Sequence, residues 1–247
     1  MIKAAYFPTI IYAKDVNLDN RLFEREVIAW SNEDSGVKRT NMNGWHSTTN
    51  MHQIPVFKPL VDELFKMQSE VFQEEWLESE AVMGNMWANI NPPGGYNRPH
   101  LHPNSHFSGV YYIKAPKNSG NIVFNEPKTG AHMVMPRRKE GKPPSHLWKE
   151  VHVDPLEGRI IMFPSWLWHC VQPNLINRHF KLRRHPMFFK PTCKPAVSNG
   201  TPDYFIYESN RVLLFFWHAN GLFDCSERFV NKPYALVIFC LFKKFWF

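Results

Sequence analysis

The sequence predicts a mainly β chain, a jelly-roll or barrel with N-terminal helices packed on one sheet. Three observations carry this. From residue 81 onward short β-rich runs are punctuated by Gly and Pro, with no alternating strand and helix rhythm. Long helical periodicity is confined to the first 80 residues. Two histidines two residues apart, His100 and His102, stand at the mouth of an apolar strand, and a third, His169, follows a later one.

In chain order, residues 6–12 read as a short edge strand, the only kind that tolerates Pro8. Asp19 caps a helix from about Asn20 to Ser31, with Leu22, Phe23, Val27 and Trp30 on its apolar stripe. From Val56 to Trp76 the apolar positions follow helical spacing, the strongest such pattern in the chain, and suit a helix covering one side of a sheet. Ala81 to Asn91 reads as a strand ended by the turn Pro92-Pro93-Gly94-Gly95. The histidine stretch opens the next strand, and Phe107 to Ile113, Ile122 to Phe124, His152-Val153 and Arg159 to Phe163 follow. Residues 127–150 make an unusually long Lys/Arg/Pro/Gly-rich connection, a length typical of lids and substrate-binding elements.

Composition divides the chain near residue 178. The net charge of +7 arises wholly after that point, where 11 of the 29 basic residues face only 4 of the 22 acidic ones. The same stretch holds 12 of the 20 Phe. The expected organisation is 1–80 as a supporting strand and helices, 81–177 as the barrel core, and 178–247 as an atypical basic aromatic tail. A nucleic-acid role would rest on that tail alone and is set aside. The start lacks the apolar core of a secretory signal. Tyr234 to Phe242 is shorter than the ~20 apolar residues that span a bilayer. Four scattered Cys read as reduced thiols, and a cytoplasmic protein is expected.

His100, His102 and His169 differ from the other nine histidines because each sits where a turn meets a strand. Residues at i and i+2 of a strand share a face, so His100 and His102 present both imidazoles together. Neutral imidazole suits iron, zinc, copper and nickel, and a mononuclear metal site in the barrel is expected from these three.

The run Gly94-Gly95-Tyr96-Asn97, His100-Leu101-His102-Pro103-Asn104, Ser108-Gly109-Val110-Tyr111-Tyr112 and later Gly158 to Trp166, His169 and Pro173-Asn174 resembles the 2-oxoglutarate/Fe(II)-dependent oxygenases. It is similar, more distantly, to the prolyl hydroxylase and aspartyl/asparaginyl β-hydroxylase groups. The resemblance implies a double-stranded β-helix, the cupin-like jelly-roll. It also implies Fe(II), with 2-oxoglutarate and O2 as cosubstrates, and a dioxygenase that hydroxylates a small molecule or peptide while releasing succinate and CO2. The family pattern places a carboxylate where this chain has His102. Two ligands plus water, three imidazoles, or a His102-x-Asn104 frame all remain open. By the same resemblance Tyr112 would hydrogen-bond 2-oxoglutarate and Arg178 would grip its far carboxylate. The residues around Arg178 depart from the family's closing strand. A cupin-type three-histidine metalloprotein without 2-oxoglutarate, and a non-catalytic binding module on the same fold, are the alternatives.

Overall fold

The computed structural model describes residues 1–78, 81–128, 136–176 and 233–244. Helix α1 spans Asn20–Glu33, and the Asp19 carboxylate accepts from the Leu22 amide at 3.0 Å to start it. Phe23, Val27 and Ser31, four apart, form its buried edge. Two single 3₁₀ turns, Met51–Gln53 and Pro55–Phe57, lead into α2, Lys58–Glu74, with Pro59 in its first turn, where a missing amide costs nothing. Leu60, Leu64, Met67, Val71 and Phe72 are its core face. Trp76, expected on that stripe, instead lies just beyond the helix at a positive φ and is exposed.

Eleven strands follow chain order among the described residues: β1 Tyr12–Asp15, β2 Asn41–Met42, β3 Trp45–His46, β4 Ala81–Asn91, β5 Tyr96–His100, β6 Phe107–Lys114, β7 Ile122–Asn125, β8 Glu150–Val153, β9 Arg159–Pro164, β10 His169–Val171 and β11 Ala235–Lys244. They form a six-stranded sheet in the order β1-β9-β6-β11-β4-β3 and a five-stranded sheet in the order β2-β5-β10-β7-β8. Every ladder between these strands is antiparallel. From β5 to β10 the chain crosses between the sheets, with β6 and β9 in the larger and β5, the β7–β8 hairpin and β10 in the smaller, as in a double-stranded β-helix. The first strand lies later than the Tyr6–Tyr12 stretch expected, since only from Tyr12 onward does the backbone pair with β9.

Alternation sorts the larger sheet's side chains between two cores. On β11, Leu236, Ile238, Cys240 and Phe242 join the cluster under α1 and α2. Val237, Phe239 and Leu241 face the other way, meeting Trp87, Val110, Tyr112, Ile161 and Phe163 inside the barrel. Strand β11 therefore lies between β4 and β6, so residues beyond 177 extend the barrel core. Gly109 on β6 makes this fit possible: a Cβ there would stand 2.5 Å from Cys240 Sγ. Residues 177–232 and 245–247, the rest of the expected tail, lie outside the described residues, as do 129–135 of the long connection. Among the described residues no helix is long and apolar enough to cross a membrane.

Candidate metal centre

His100 ends β5, His102 follows it in the turn, and His169 opens β10, paired in register opposite His100. Two distant stretches of sequence thus meet through one antiparallel ladder. Ring centroids lie 4.3 Å apart for His100 and His169, 5.0 Å for His100 and His102, and 4.9 Å for His102 and His169. One nitrogen from each ring lies within 4.8 Å of the others, and among the described residues this is the one His/Cys/Asp/Glu group able to hold an ion. Asn104 is exposed in the left-handed turn beyond them.

Each ring is oriented through Nδ1. His100 donates to the Arg98 carbonyl at 2.7 Å and His169 to the Leu167 carbonyl at 2.8 Å. His102 Nδ1 meets the Ser108 hydroxyl at 2.7 Å. A carbonyl only accepts, so the first two rings carry Nδ1–H and turn an Nε2 lone pair inward. The His169 Nε2 is buried without a hydrogen-bond partner. Such an orphan is costly unless an ion or another donor meets it.

All three rings are held neutral. Burial pushes His169 down to about 2, helped by the neighbouring His100 and His102 and opposed by its carbonyl bond. Burial and the His100 charge push His102 down to about 3. His100 is lowered by burial against the opposing effect of its Arg98 bond. Neutral imidazoles with converging lone pairs and one orphaned nitrogen fit a divalent first-row metal.

The surrounding wall is aromatic. Trp87 stands edge-on to His102 at 5.6 Å, and stacks between His46 at 5.4 Å and Phe239 at 5.5 Å. Phe163 lies 4.8 Å from His169. Trp166 and Trp168, just before His169 in the chain, are exposed. A cleft of about 520 Å³ lined by Phe7, Pro8, Phe124, Trp148, Val151 and Leu167, among others, lies beside the smaller sheet.

The two adjacent tyrosines separate as a strand requires. Tyr111 faces the helices and donates to Asn20 Oδ1 at 2.6 Å, while Tyr112 faces the barrel interior. Burial raises the Tyr112 phenol, so it is a neutral donor at physiological pH. Cross-strand pairing puts His46, Asn89, Val237 and Tyr112 in one row. Asn89 is buried there with its Oδ1 unpartnered, whereas Asn91 bonds Asn97 and, through its carbonyl, Asn174 to tie the turn. Of the two, Asn91 alone serves the turn. Arg178 lies outside the described residues, and the inward positions of β11 are the apolar Val237, Phe239 and Leu241. Sequence reasoning missed Ser108, Ser165, Trp87 and His46 around the site. For Ser108 a signal existed, a lone hydroxyl at the inward phase of an apolar strand.

Residues 85–179 match the family model of the putative 2OG-Fe(II) oxygenases. A search of curated protein sequences finds no match. Among solved structures the chain is similar to a Pseudomonas putida prolyl-4-hydroxylase, with a TM-score of 0.53 and 12% identity over 96% of this chain and 94% of that one. It is also similar to SnoN, a non-heme α-ketoglutarate-dependent epimerase of nogalamycin biosynthesis (0.54, 9%, 96% and 77%). A third is a Trichoplax adhaerens prolyl hydroxylase in complex with a hypoxia-inducible-factor peptide (0.52, 9%, 95% and 83%). At such identities the likeness speaks for the fold, and the resemblance to the family rests on the matched segment, which carries all three histidines. Through residues 85–179 the chain is similar to the 2OG-Fe(II) oxygenase family.

Proposed function

We propose that this chain is a 2-oxoglutarate- and Fe(II)-dependent dioxygenase that hydroxylates a small molecule or peptide. The observation that carries this reading is the inward convergence of three neutral imidazoles, one with an orphaned buried nitrogen, inside the family-matched segment. His100, His102 and His169 are the residues that would hold the metal. Iron with 2-oxoglutarate and O2 supplies the oxidising power for attack on an unactivated C–H bond, with release of succinate and CO2.

The protein's part is binding, orientation and exclusion of water. The Arg98 and Leu167 carbonyls fix two rings before any metal arrives, so little reorganisation is needed. Trp87, Phe163 and Phe239 enclose the rings in an apolar wall. Such surroundings strengthen charge interactions and protect a reactive centre from solvent. Tyr112, neutral and inward, is the donor assigned to a cosubstrate carboxylate. Arg178 is proposed for the far carboxylate on the family resemblance alone.

Anaerobic Fe(II) binding followed by succinate formation from 2-oxoglutarate tests the reading, with His100→Ala and His169→Ala in parallel. Both variants are expected to lose metal and turnover. Undiminished turnover in both would remove these residues from the site.

A further inference from the structure

We propose that His102 changes tautomer when the site takes its metal, and that the Ser108 and Ser165 hydroxyls are the positioning relay that permits the change. This rests on the metal-site reading above and concerns the one ligand that stands where the family pattern has a carboxylate.

His100 and His169 have no such choice, because backbone carbonyls hold their ring protons on Nδ1. His102 faces a hydroxyl, which can donate or accept. Ser108 Oγ lies 2.7 Å from His102 Nδ1 and 2.7 Å from Ser165 Oγ, and both serines are fully buried. The backbone clamps this chain in place: the His102 amide donates to the Ser165 carbonyl and the Ser165 amide to the His106 carbonyl, each at 3.0 Å.

Two proton arrangements keep both links of the chain. In one, Ser165 donates to Ser108, Ser108 donates to His102 Nδ1, and the ring proton sits on Nε2. In the other, His102 Nδ1–H donates to Ser108 and Ser108 donates to Ser165, leaving a lone pair on Nε2. Without an ion the second arrangement points three lone pairs at one another within 4.8 Å. The first places a proton among them and gives the Ser165 hydroxyl proton Ser108 as its acceptor, where the second leaves it none among the described residues. The metal-free protein therefore holds His102 as the Nε2–H form. A bound ion needs the lone pair and selects the reverse. The ring proton moves from Nε2 to Nδ1 by exchange with solvent, both hydroxyls turn round, and His102 stays neutral with no net proton released. The site thus has two fixed ligands and one that reverses on loading.

The test uses the full chain labelled with ¹⁵N-histidine and Zn(II) as a diamagnetic probe. Metal-free His102 is expected to show a protonated Nε2 and an unprotonated Nδ1, and Zn(II) is expected to invert the pair, while His100 and His169 keep Nδ1–H throughout. Nδ1–H on His102 in the metal-free protein would overturn the proposal. Removing the hydroxyl in Ser108→Ala should weaken Zn(II) binding by about 10- to 100-fold, and Ser108→Thr, which keeps it, should restore most of that loss. Equal Zn(II) affinity in wild type and Ser108→Ala would refute the relay. Should Ser108→Ala not fold, Ser165→Ala carries the same expectation at smaller size. Failure of the metal reading has a separate signature: His169→Ala and wild type would then take up Zn(II) equally, and the metal-free tautomer of His102 would still decide the relay.

Discussion

Acid should destabilise the metal-free protein well before its carboxylates titrate. His102 and His169 have ordinary values of 6.5 when unfolded and are pushed to about 3 and about 2 in the fold, chiefly by burial. Above 6.5 both states are neutral and neither group affects stability. Below it the unfolded chain takes up protons that the folded chain refuses, so stability falls as pH falls. Each site then costs about 1.4 kcal/mol per pH unit, which at pH 5 integrates to about 2 kcal/mol each, or about 4 together. His102 is 8% exposed and His169 is fully buried, so solvent screens little of this. His46, lowered by burial on the opposite wall, acts in the same direction. Against a typical total of about 5–15 kcal/mol, the loss is large. Urea unfolding in EDTA at pH 7.5, 6 and 5 measures it, and His169→Gln should flatten the slope by roughly one proton's worth. An unfolding free energy that is the same at pH 7.5 and pH 5 would refute the argument.

Gly109→Ala should cost about 1–3 kcal/mol by overpacking against Cys240. Adding Cys240→Ala should recover part of it in a double-mutant cycle; a neutral Gly109→Ala would contradict the β6–β11 register. Phe239→Ala should cost about 3–5 kcal/mol in denaturant titration, since it empties the stack beside Trp87. Asp19→Ala removes the cap of α1 and should cost about 1 kcal/mol by the same measurement.

How much could be read in advance differed with the range of the interactions involved. The two helices were legible because Asp19, Phe23 and Val27, or Leu60, Leu64 and Val71, state their roles within a few turns. His100 and His102 were legible as two imidazoles two residues apart at a strand end, although the strand stops at His100 and His102 reaches the cluster from the connection beyond it. Strand β11 was not. Ala235 to Phe242 is an unbroken apolar run, which carries no alternation to mark a strand, and its two partners lie more than a hundred residues earlier. The first strand was misplaced because Tyr6 to Tyr12 has strand-like residues but no partner opposite them; pairing with β9 begins at Tyr12. Ser165 was hidden for a related reason, since its neighbours in sequence give no sign that it meets Ser108 57 residues away.

The placement of β11 also bears on how the molecule is made. Strands β4 and β6 each leave one edge open until residues 235–244 arrive between them. About 60 residues separate that segment from β10, and contacts so far apart in sequence form slowly. During synthesis the three histidines, all upstream, can meet before the larger sheet is whole. A nascent chain would then carry a formed histidine cluster on a barrel with two bare strand edges. Such edges recruit other strands, and the interval before β11 docks is when the protein is most exposed to aggregation.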